Sequence, residues 1–165
     1  MRKILGMMAL IVATMMATGC SKDNDDVSGG GNEAPSSFGV HKIEVSLEGN
    51  YTSYTPSMVF NAFKKGGAYA NIYDENGKVY NPIYDAEYTG KKIIAKTEKE
   101  CIEFACSIFL INVSGEPGKV TVKCTGYVDD KKTLSDTRTI EFKKGDTSKA
   151  THFNSVNGFT DLEQK

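Results

Sequence analysis

The sequence has no tryptophan, and among its 165 residues there are only two histidines. His41 and His152 have no ligand-spaced partner in the sequence, so neither a zinc site nor metal-dependent catalysis is expected. We expect both to face solvent, His41 at the start of a strand and His152 in a polar tail. No phosphate-binding glycine loop, nucleophile elbow or His-Glu-x-x-His motif is present. The sequence therefore predicts a protein that is not an enzyme and that holds no metal and no cofactor.

A strong basic charge is also missing. The formal net charge is −1, and it falls to −3 when Arg2 and Lys3 are removed with the N-terminal segment. Such a chain is not suited to the phosphate backbone, so no nucleic-acid partner is expected. With 39% hydrophobic and 25% charged residues, the chain has the composition of a globular protein, and its length fits one domain.

Residues 1–19 have the order of a secretory signal peptide. Arg2 and Lys3 are followed by an uncharged apolar run, Ile4–Met16, and five of the six methionines lie in the first sixteen positions. The run is about thirteen residues long, whereas a membrane-spanning helix needs about twenty. We therefore expect a cleaved leader and not a permanent membrane span.

The end of this leader, Ala17-Thr18-Gly19-Cys20, resembles the lipobox of bacterial lipoproteins, with Ala17 where that family usually carries leucine. The resemblance implies that Cys20 is acylated, becomes the mature N-terminus and holds the protein on a membrane through its lipid. The alternative is an ordinary secretory signal that is cut near Ala17 or Gly19.

The next segment, Ser21–Asp26, resembles the acidic export tract of Bacteroidota surface lipoproteins. That resemblance implies a lipid-anchored location in the outer membrane, exposed at the cell surface. The alternative is a solvated spacer. Residues 20–38 as a whole are predicted to be the lipidated N-terminus and a flexible tether that is acidic at first and rich in glycine and serine afterwards.

Residues 39–145 are predicted to form a β-sandwich domain. Apolar and polar residues alternate in one short segment after another, with turn signals such as Asn76-Gly77 between them. About seven strands at this spacing are typical of an antiparallel sandwich. The tail, residues 146–165, could be loop, an added strand or a short helical turn. The alternation places these residues in the core: Ile43, Val45, Phe104, Ile108, Leu110, Val120, Val122 and Ile140.

One part of this domain also resembles a known family. Pro117–Tyr127, followed by Arg138–Phe142, is similar to the last two strands of immunoglobulin-like and PKD-like modules. The resemblance covers about a quarter of the chain and implies an immunoglobulin-like sandwich, although the buried tryptophan of antibody domains is absent.

Three cysteines remain in the domain. Cys106 and Cys124 fall on the apolar faces of two strands that we expect to pair as a hairpin centred on Gly115 or Glu116. They could therefore form a disulfide, which an exported protein permits. The alternative is that both are small core residues. Cys101 has the opposite parity, and we expect a free or edge-facing thiol.

Seven of the eight tyrosines lie between residues 51 and 88. Tyrosine rings carried on loops can stack on sugars or form a protein-binding patch. The alternative is that these rings point inward and cap the sandwich edge. Four of them stand close to glycine, proline or asparagine and form the candidate ligand-binding set: Tyr51, Tyr54, Tyr80 and Tyr84.

These features together predict a non-catalytic lipoprotein module, anchored through Cys20, that binds a glycan or an envelope or protein partner. A pilus-like or structural assembly subunit is the first alternative. A small hydrolase is the second, because a glycosidase can take its two carboxylates from distant strands without leaving a motif.

Overall fold

Eleven β-strands make up most of residues 38–160, which are the residues that this computed structural model describes. They belong to the Glu33–Lys165 unit of the chain. A single 3-10 turn, Tyr51–Ser53, separates the first two strands. The described part has no helix of the length and hydropathy that a membrane span requires. The strands are β1 (His41–Gly49), β2 (Tyr54–Lys64), β3 (Ile72–Asp74), β4 (Val79–Tyr80), β5 (Ile83–Glu87), β6 (Ile93–Thr97), β7 (Cys101–Asn112), β8 (Gly118–Val128), β9 (Lys131–Phe142), β10 (Ser148–Asn154) and β11 (Gly158–Thr160).

The strands form two antiparallel sheets with one hydrophobic core between them. The five-stranded sheet has the order β11-β10-β7-β2-β5, and the six-stranded sheet has the order β4-β3-β6-β1-β8-β9. Inward side chains of both sheets share the core. The predicted all-β antiparallel sandwich is confirmed. All eight predicted core residues are buried, and the most exposed of them, Ile140, is only 7% exposed.

The structure has more strands than the seven or so that the alternation predicted. The additional strands are β5, β10 and β11, and β11 is only three residues long, which is too short for a visible period. β5 falls in a stretch with a proline and several tyrosines that favours a loop. It follows Asn81-Pro82 and pairs with β2 at the edge of the five-stranded sheet.

The predicted hairpin between β7 and β8 is wrong. β7 pairs with β2 and β10, whereas β8 pairs with β1 and β9 in the other sheet. Asn112 fixes the loop that crosses between the sheets, because its side chain accepts the Gly115 N–H at 3.0 Å and donates to the Glu116 carbonyl at 2.8 Å. Alternation determines which side of a strand is buried and not which strand lies beside it, so both arrangements fit the sequence.

The C-terminal segment is part of the sandwich, so the predicted domain boundary at residue 145 is wrong. β10 pairs with β7, and β11 pairs with β10. Ser155 follows β10, is fully buried, and donates its N–H to the Phe104 carbonyl at 2.9 Å. One inward position of β10 is the polar Thr151, so the segment lacks the alternating pattern that would have revealed a strand.

The outward sides of the two sheets differ in charge. On the six-stranded sheet, lysines and glutamates of β1, β8 and β9, with Lys92 just before β6, form ion pairs, and we call this surface the charged face. The pairs are Lys42–Glu44, Lys92–Glu44, Lys123–Glu48 and Lys119–Glu141. On the five-stranded sheet, three strands carry a block of outward residues without lysine, arginine, aspartate or glutamate. We call this block the neutral face, and it consists of Thr55, Ser57, Val59, Ser107, Phe109, Ile111, Ser148, Ala150 and His152.

Candidate functional site

The four candidate tyrosines do not form one site. Tyr54 stands at the start of β2 opposite Asn112, whereas Tyr84 stands opposite Phe60, near the other end of β2. At about 3.4 Å per residue, the two positions are about 20 Å apart. Tyr51 adjoins Tyr54 at one end of the sandwich, and Tyr80 stacks on Tyr84.

Tyr51 and Tyr54 support the fold. Tyr54 is 6% exposed and its ring stacks on Phe142 with a centroid distance of 4.5 Å. Tyr51 packs edge-on against Tyr88, whose hydroxyl accepts the N–H of Leu47 at 3.0 Å. The prediction of a loop-borne binding residue is wrong for Tyr54, because its ring fills the core at the end of the sandwich.

Tyr80 and Tyr84 lie where the chain passes from β4 in one sheet to β5 in the other. Their rings stack at a centroid distance of 4.3 Å, and Tyr84 stacks in turn on Phe60 at 5.4 Å. Phe60 continues the series to Phe104 at 5.9 Å, and both phenylalanines are fully buried. A ladder of aromatic rings therefore runs from the surface into the core and holds the outermost ring in place.

Polar groups surround the outer end of this ladder. The Asn81 amide donates to the side-chain oxygen of Asn71 at 2.9 Å, and the Tyr80 hydroxyl donates to the Asp74 carboxylate at 3.3 Å. The Lys78 ammonium stands 4.9 Å from the centroid of the Tyr80 ring. Flat rings, two amides and a carboxylate thus meet on one surface.

Exposed aliphatic side chains complete this surface. Val79 is 52% exposed and Ile83 is 41% exposed, and each adjoins one of the two tyrosines in the sequence. The pKa of Tyr84 is raised, first because the phenol is partly buried and then because Tyr80, Asp74 and Glu75 would repel its anion. We call this set the aromatic corner: Asn71, Asp74, Val79, Tyr80, Asn81, Ile83 and Tyr84.

Sequence reasoning found the two tyrosines of the aromatic corner and missed its other members. The signal that could have found them is Asn81-Pro82, since an Asn-Pro pair favours a turn that brings its flanking residues together. Asn71 has no such signal, because it reaches the corner through the pairing of β3 with β4.

The three cysteines of the described residues are free thiols, so the disulfide that the sequence allowed between Cys106 and Cys124 is not formed and both are small core residues, as the alternative had it. The two residues extend from opposite sheets into the same core. Burial and then the neighbouring Cys124 raise the pKa of Cys106 well above its usual value. Cys101 is also buried rather than edge-facing, because a bulge between Phe63 and Lys64 shifts the β2–β7 register beside it. Protonated, buried thiols are not nucleophiles.

His41 is not the solvent-facing residue that the sequence predicted, whereas His152 lies on an outward face and is partly exposed. His41 is fully buried, and its Nδ1 lies 2.7 Å from the Ser155 hydroxyl, so it joins the first strand to the C-terminal segment. His152 lies on the neutral face with its Nδ1 3.1 Å from the Ser107 hydroxyl. Burial lowers the pKa of His152.

Two shallow grooves lie along β10, away from the aromatic corner. One is lined by residues 145–150, and the other, of about 600 Å³, is lined by Lys65, Ile102, Glu103, Asn154, Val156 and Asn157. Neither lining contains a histidine or a cysteine. Within residues 38–160, histidine, cysteine, aspartate and glutamate side chains nowhere gather in a group of three that could hold a metal ion.

The predicted lipidation site Cys20 and the tract Ser21–Asp26 lie outside the described residues. The leader, the tether up to residue 37 and residues 161–165 lie outside them as well. Anchoring and export therefore stay predictions from the sequence.

No protein-family model matches the chain, and no curated protein matches it in sequence. The chain is similar to a crystal structure of a domain of unknown function, DUF4425, from Bacteroides vulgatus, with 19% identity and a TM-score of 0.63 over 73% of this chain and 98% of that one. It is also similar to a DUF4425 family protein from Bacteroides ovatus, with 26% identity and a TM-score of 0.62 over 76% of this chain and 99% of that one. These likenesses support the sandwich fold.

Proposed function

We propose that this protein is a non-catalytic lipoprotein of the outer membrane, held at the cell surface by lipid on Cys20, and that its aromatic corner binds an uncharged glycan. The observation that carries the proposal is the Tyr80–Tyr84 stack, which reaches the surface beside amide and carboxylate groups. The lipobox-like segment before Cys20 supports the anchor.

The chemistry of the corner favours a sugar over an anion. A pyranose presents a face of C–H groups, which packs on a flat aromatic ring, and hydroxyls, which pair with amides and carboxylates. Asn71, Asn81 and Asp74 offer these polar partners. Asp74 and Glu75 give the corner a negative bias, and this bias disfavours acidic ligands.

The tether suits this role. About eighteen residues separate Cys20 from Phe38, and a flexible chain of that length has an end-to-end distance of about 25 Å. Such a tether lets the corner meet a polymer outside the cell without any contribution from the fold to anchoring.

The binding test uses the intact protein in detergent, titrated with cellohexaose, maltohexaose and xylohexaose and with a polygalacturonate fragment of similar length. We expect at least one uncharged hexaose to bind and Tyr80→Ala to weaken that binding about tenfold, which corresponds to about 1.4 kcal/mol of stacking energy.

Tyr127→Ala is the matched control. Tyr127 lies on the charged face and also has a lysine above its ring, with the Lys42 ammonium 3.7 Å from the centroid. Equal affinities for Tyr80→Ala and Tyr127→Ala, or no binding of any uncharged hexaose, would contradict the glycan proposal.

The location test changes two groups outside the described residues. Cys20→Ser should remove the protein from the membrane fraction or leave it uncleaved, because the acyl chains supply the membrane affinity. Replacing Asp23, Asp25 and Asp26 by alanine should keep the lipid yet protect the domain from protease added to whole cells. Continued digestion of that variant from outside would show that the acidic residues are only a spacer.

A further inference from the structure

The neutral face has the residue distribution of a small protein–protein interface. Phe109 and Val59 are half-buried at its middle, and Ile111 is 41% exposed at one end. Charged residues begin at its margins, where β5 places Asp85 and Glu87 outward in the same register rows and where Glu103 lies further along β7. An apolar centre with charges at the rim is the usual arrangement of a protein–protein contact.

We propose that the neutral face and the adjoining strand β5 pack against the same four strands of a second copy of this chain, related by a two-fold axis parallel to the strands. The contact is isologous, since the same residues serve on both sides. It is separate from the aromatic corner, but the strengthening on a shared membrane and the orientation argument below both rest on the proposed lipid anchor.

The charge pattern favours a second copy over an unlike partner, and the area determines how strong the contact is. The neutral face has no fixed charge that could repel its own copy, and it offers an unlike partner no charge pattern to recognise. β5 adds Asp85 and Glu87 at the margin of the contact. The contact spans β5, β2, β7 and β10, which lie about 4.8 Å apart. Over a strand length of about seven residues, these four strands present a surface of roughly 450 Å² per copy. The two copies would together bury about 900 Å², less than the 1,200 Å² of a standard stable interface. Such a contact is weak in solution and is strengthened when both copies share one membrane, because anchoring raises their effective concentration.

The direction of the strands suits two anchored copies. The chain enters the sandwich beside His41, at one end of the strands, where Gly39 pairs with Cys101. A two-fold axis parallel to the strands leaves both entry points at the same end, so both tethers reach the same membrane. An axis perpendicular to the strands within the interface would place the two entry points at opposite ends.

This axis fixes which residues meet. Across the sheet, one register row runs through Asp85, Val59, Ser107 and His152, and the two-fold axis reverses its order in the second copy. Asp85 of one copy therefore faces His152 of the other. Two copies of Asp85 lie about three strand spacings apart, or about 14 Å across the sheet, and so do two copies of His152.

The test cross-links two versions of the full chain in the same cells. One version carries Asp85→Cys and the other His152→Cys, each with a different epitope tag, and a short bismaleimide is added. We expect a cross-linked species of twice the mass that contains both tags, and a loss of that species when Phe109→Asp is added to both versions. Protease accessibility on whole cells confirms that each version is exported, and thermal unfolding of each purified version confirms that it is folded.

The matched control is Lys96→Cys with Lys132→Cys. These exposed residues also lie three strands apart in one row, but on the charged face. The proposal is overturned if the control pair cross-links as well as the Asp85 and His152 pair, or if the latter gives no species with both tags. Adducts only with other proteins overturn it too. Because the aromatic corner is tested with sugars, failure here leaves the glycan proposal standing, and the reverse holds.

Discussion

The charged face and the neutral face belong to two sheets that share one core, yet they meet the outside in different ways. On the charged face, one glutamate, Glu44, forms ion pairs with both Lys42 and Lys92. On the neutral face, the corresponding outward positions of β2, β7 and β10 are serine, threonine, alanine, valine, isoleucine, phenylalanine and histidine. Packing in the core determines which residue types can occupy the inward positions of a strand. The residue types at the outward positions therefore indicate whether a sheet faces solvent or a partner.

The largest expected effect is the difference between a substitution at an inward position of a strand and one at an outward position of the same strand. Ile108 is fully buried and Ile111 is 41% exposed, although both stand on β7. Ile108→Ala should lower the free energy of unfolding by about 2–5 kcal/mol, because it removes buried methylenes and leaves a cavity. Ile111→Ala should lower it by less than about 1 kcal/mol. Denaturant unfolding of both variants measures the difference, and similar values would mean that the inside of this sheet has been misassigned.

A second, smaller effect on stability is expected where the segment after β10 packs on β8 of the other sheet. Gly126 of β8 lies against the Ser155 carbonyl, and a Cβ added at residue 126 would overlap that oxygen. Gly126→Ala should therefore destabilise the protein by about 1–3 kcal/mol, since backbone must shift to make room. Thermal unfolding checks this, and an unchanged melting temperature would show that the segment after β10 does not pack on β8.

The alternation of residues predicted the inside of the sandwich and not its connections. The inward parity of Val120 and Val122 follows from β8 alone, because side chains on a strand alternate between its two sides. The partner of β8 depends on where the loop at Asn112 sends the chain, and that is set by hydrogen bonds of one side chain. The local pattern therefore predicts which residues of each strand face the core, whereas the order of the strands in each sheet depends on tertiary contacts.

The candidate site shows the same division. Tyr80 and Tyr84 could be chosen from their neighbours in the sequence, but Tyr54 has similar neighbours and is buried against Phe142. His41 is a polar residue at the start of a strand, and it is buried in contact with Ser155, which lies more than a hundred positions away in the sequence. Contacts between residues far apart in the sequence cannot be predicted from composition or from the spacing of residue types.

The neutral face carries one group that titrates near neutral pH, and a third prediction uses it. Burial lowers the pKa of His152 below the usual value of about 6.5, so the unfolded chain binds more protons than the folded chain between these two values. Its outward neighbours on β7 and β11 are Ser107 and Thr160, which carry no charge. Stability should therefore fall as the pH drops from about 7.5 to about 5, and His152→Gln should fall less steeply.

Chemical denaturation of dilute Cys20→Ser chain, with and without His152→Gln, measures this slope without a contribution from pairing between copies. His41 is present in both chains, so the difference between the two slopes belongs to His152. Identical slopes would show that the imidazole of His152 is solvated and that the neutral face is wetter than its composition indicates.

The smallest effect is expected on the charged face. Burial raises the pKa of Glu44, but the hydrogen bonds and charges of Lys92 and Lys42 outweigh it, so the pKa of this carboxyl is lowered overall. Its contribution to stability is therefore present above the usual pKa of about 4.5 and is lost as the pH falls through the lower folded value. Glu44→Gln should cost less than about 1 kcal/mol at pH 7, because ion pairs near the surface contribute little, and the cost should shrink in 0.5 M salt and as the pH falls below about 4.5. A larger cost that salt does not change would mean that Glu44 acts through packing, and the charged face would then be as much a structural surface as the neutral one.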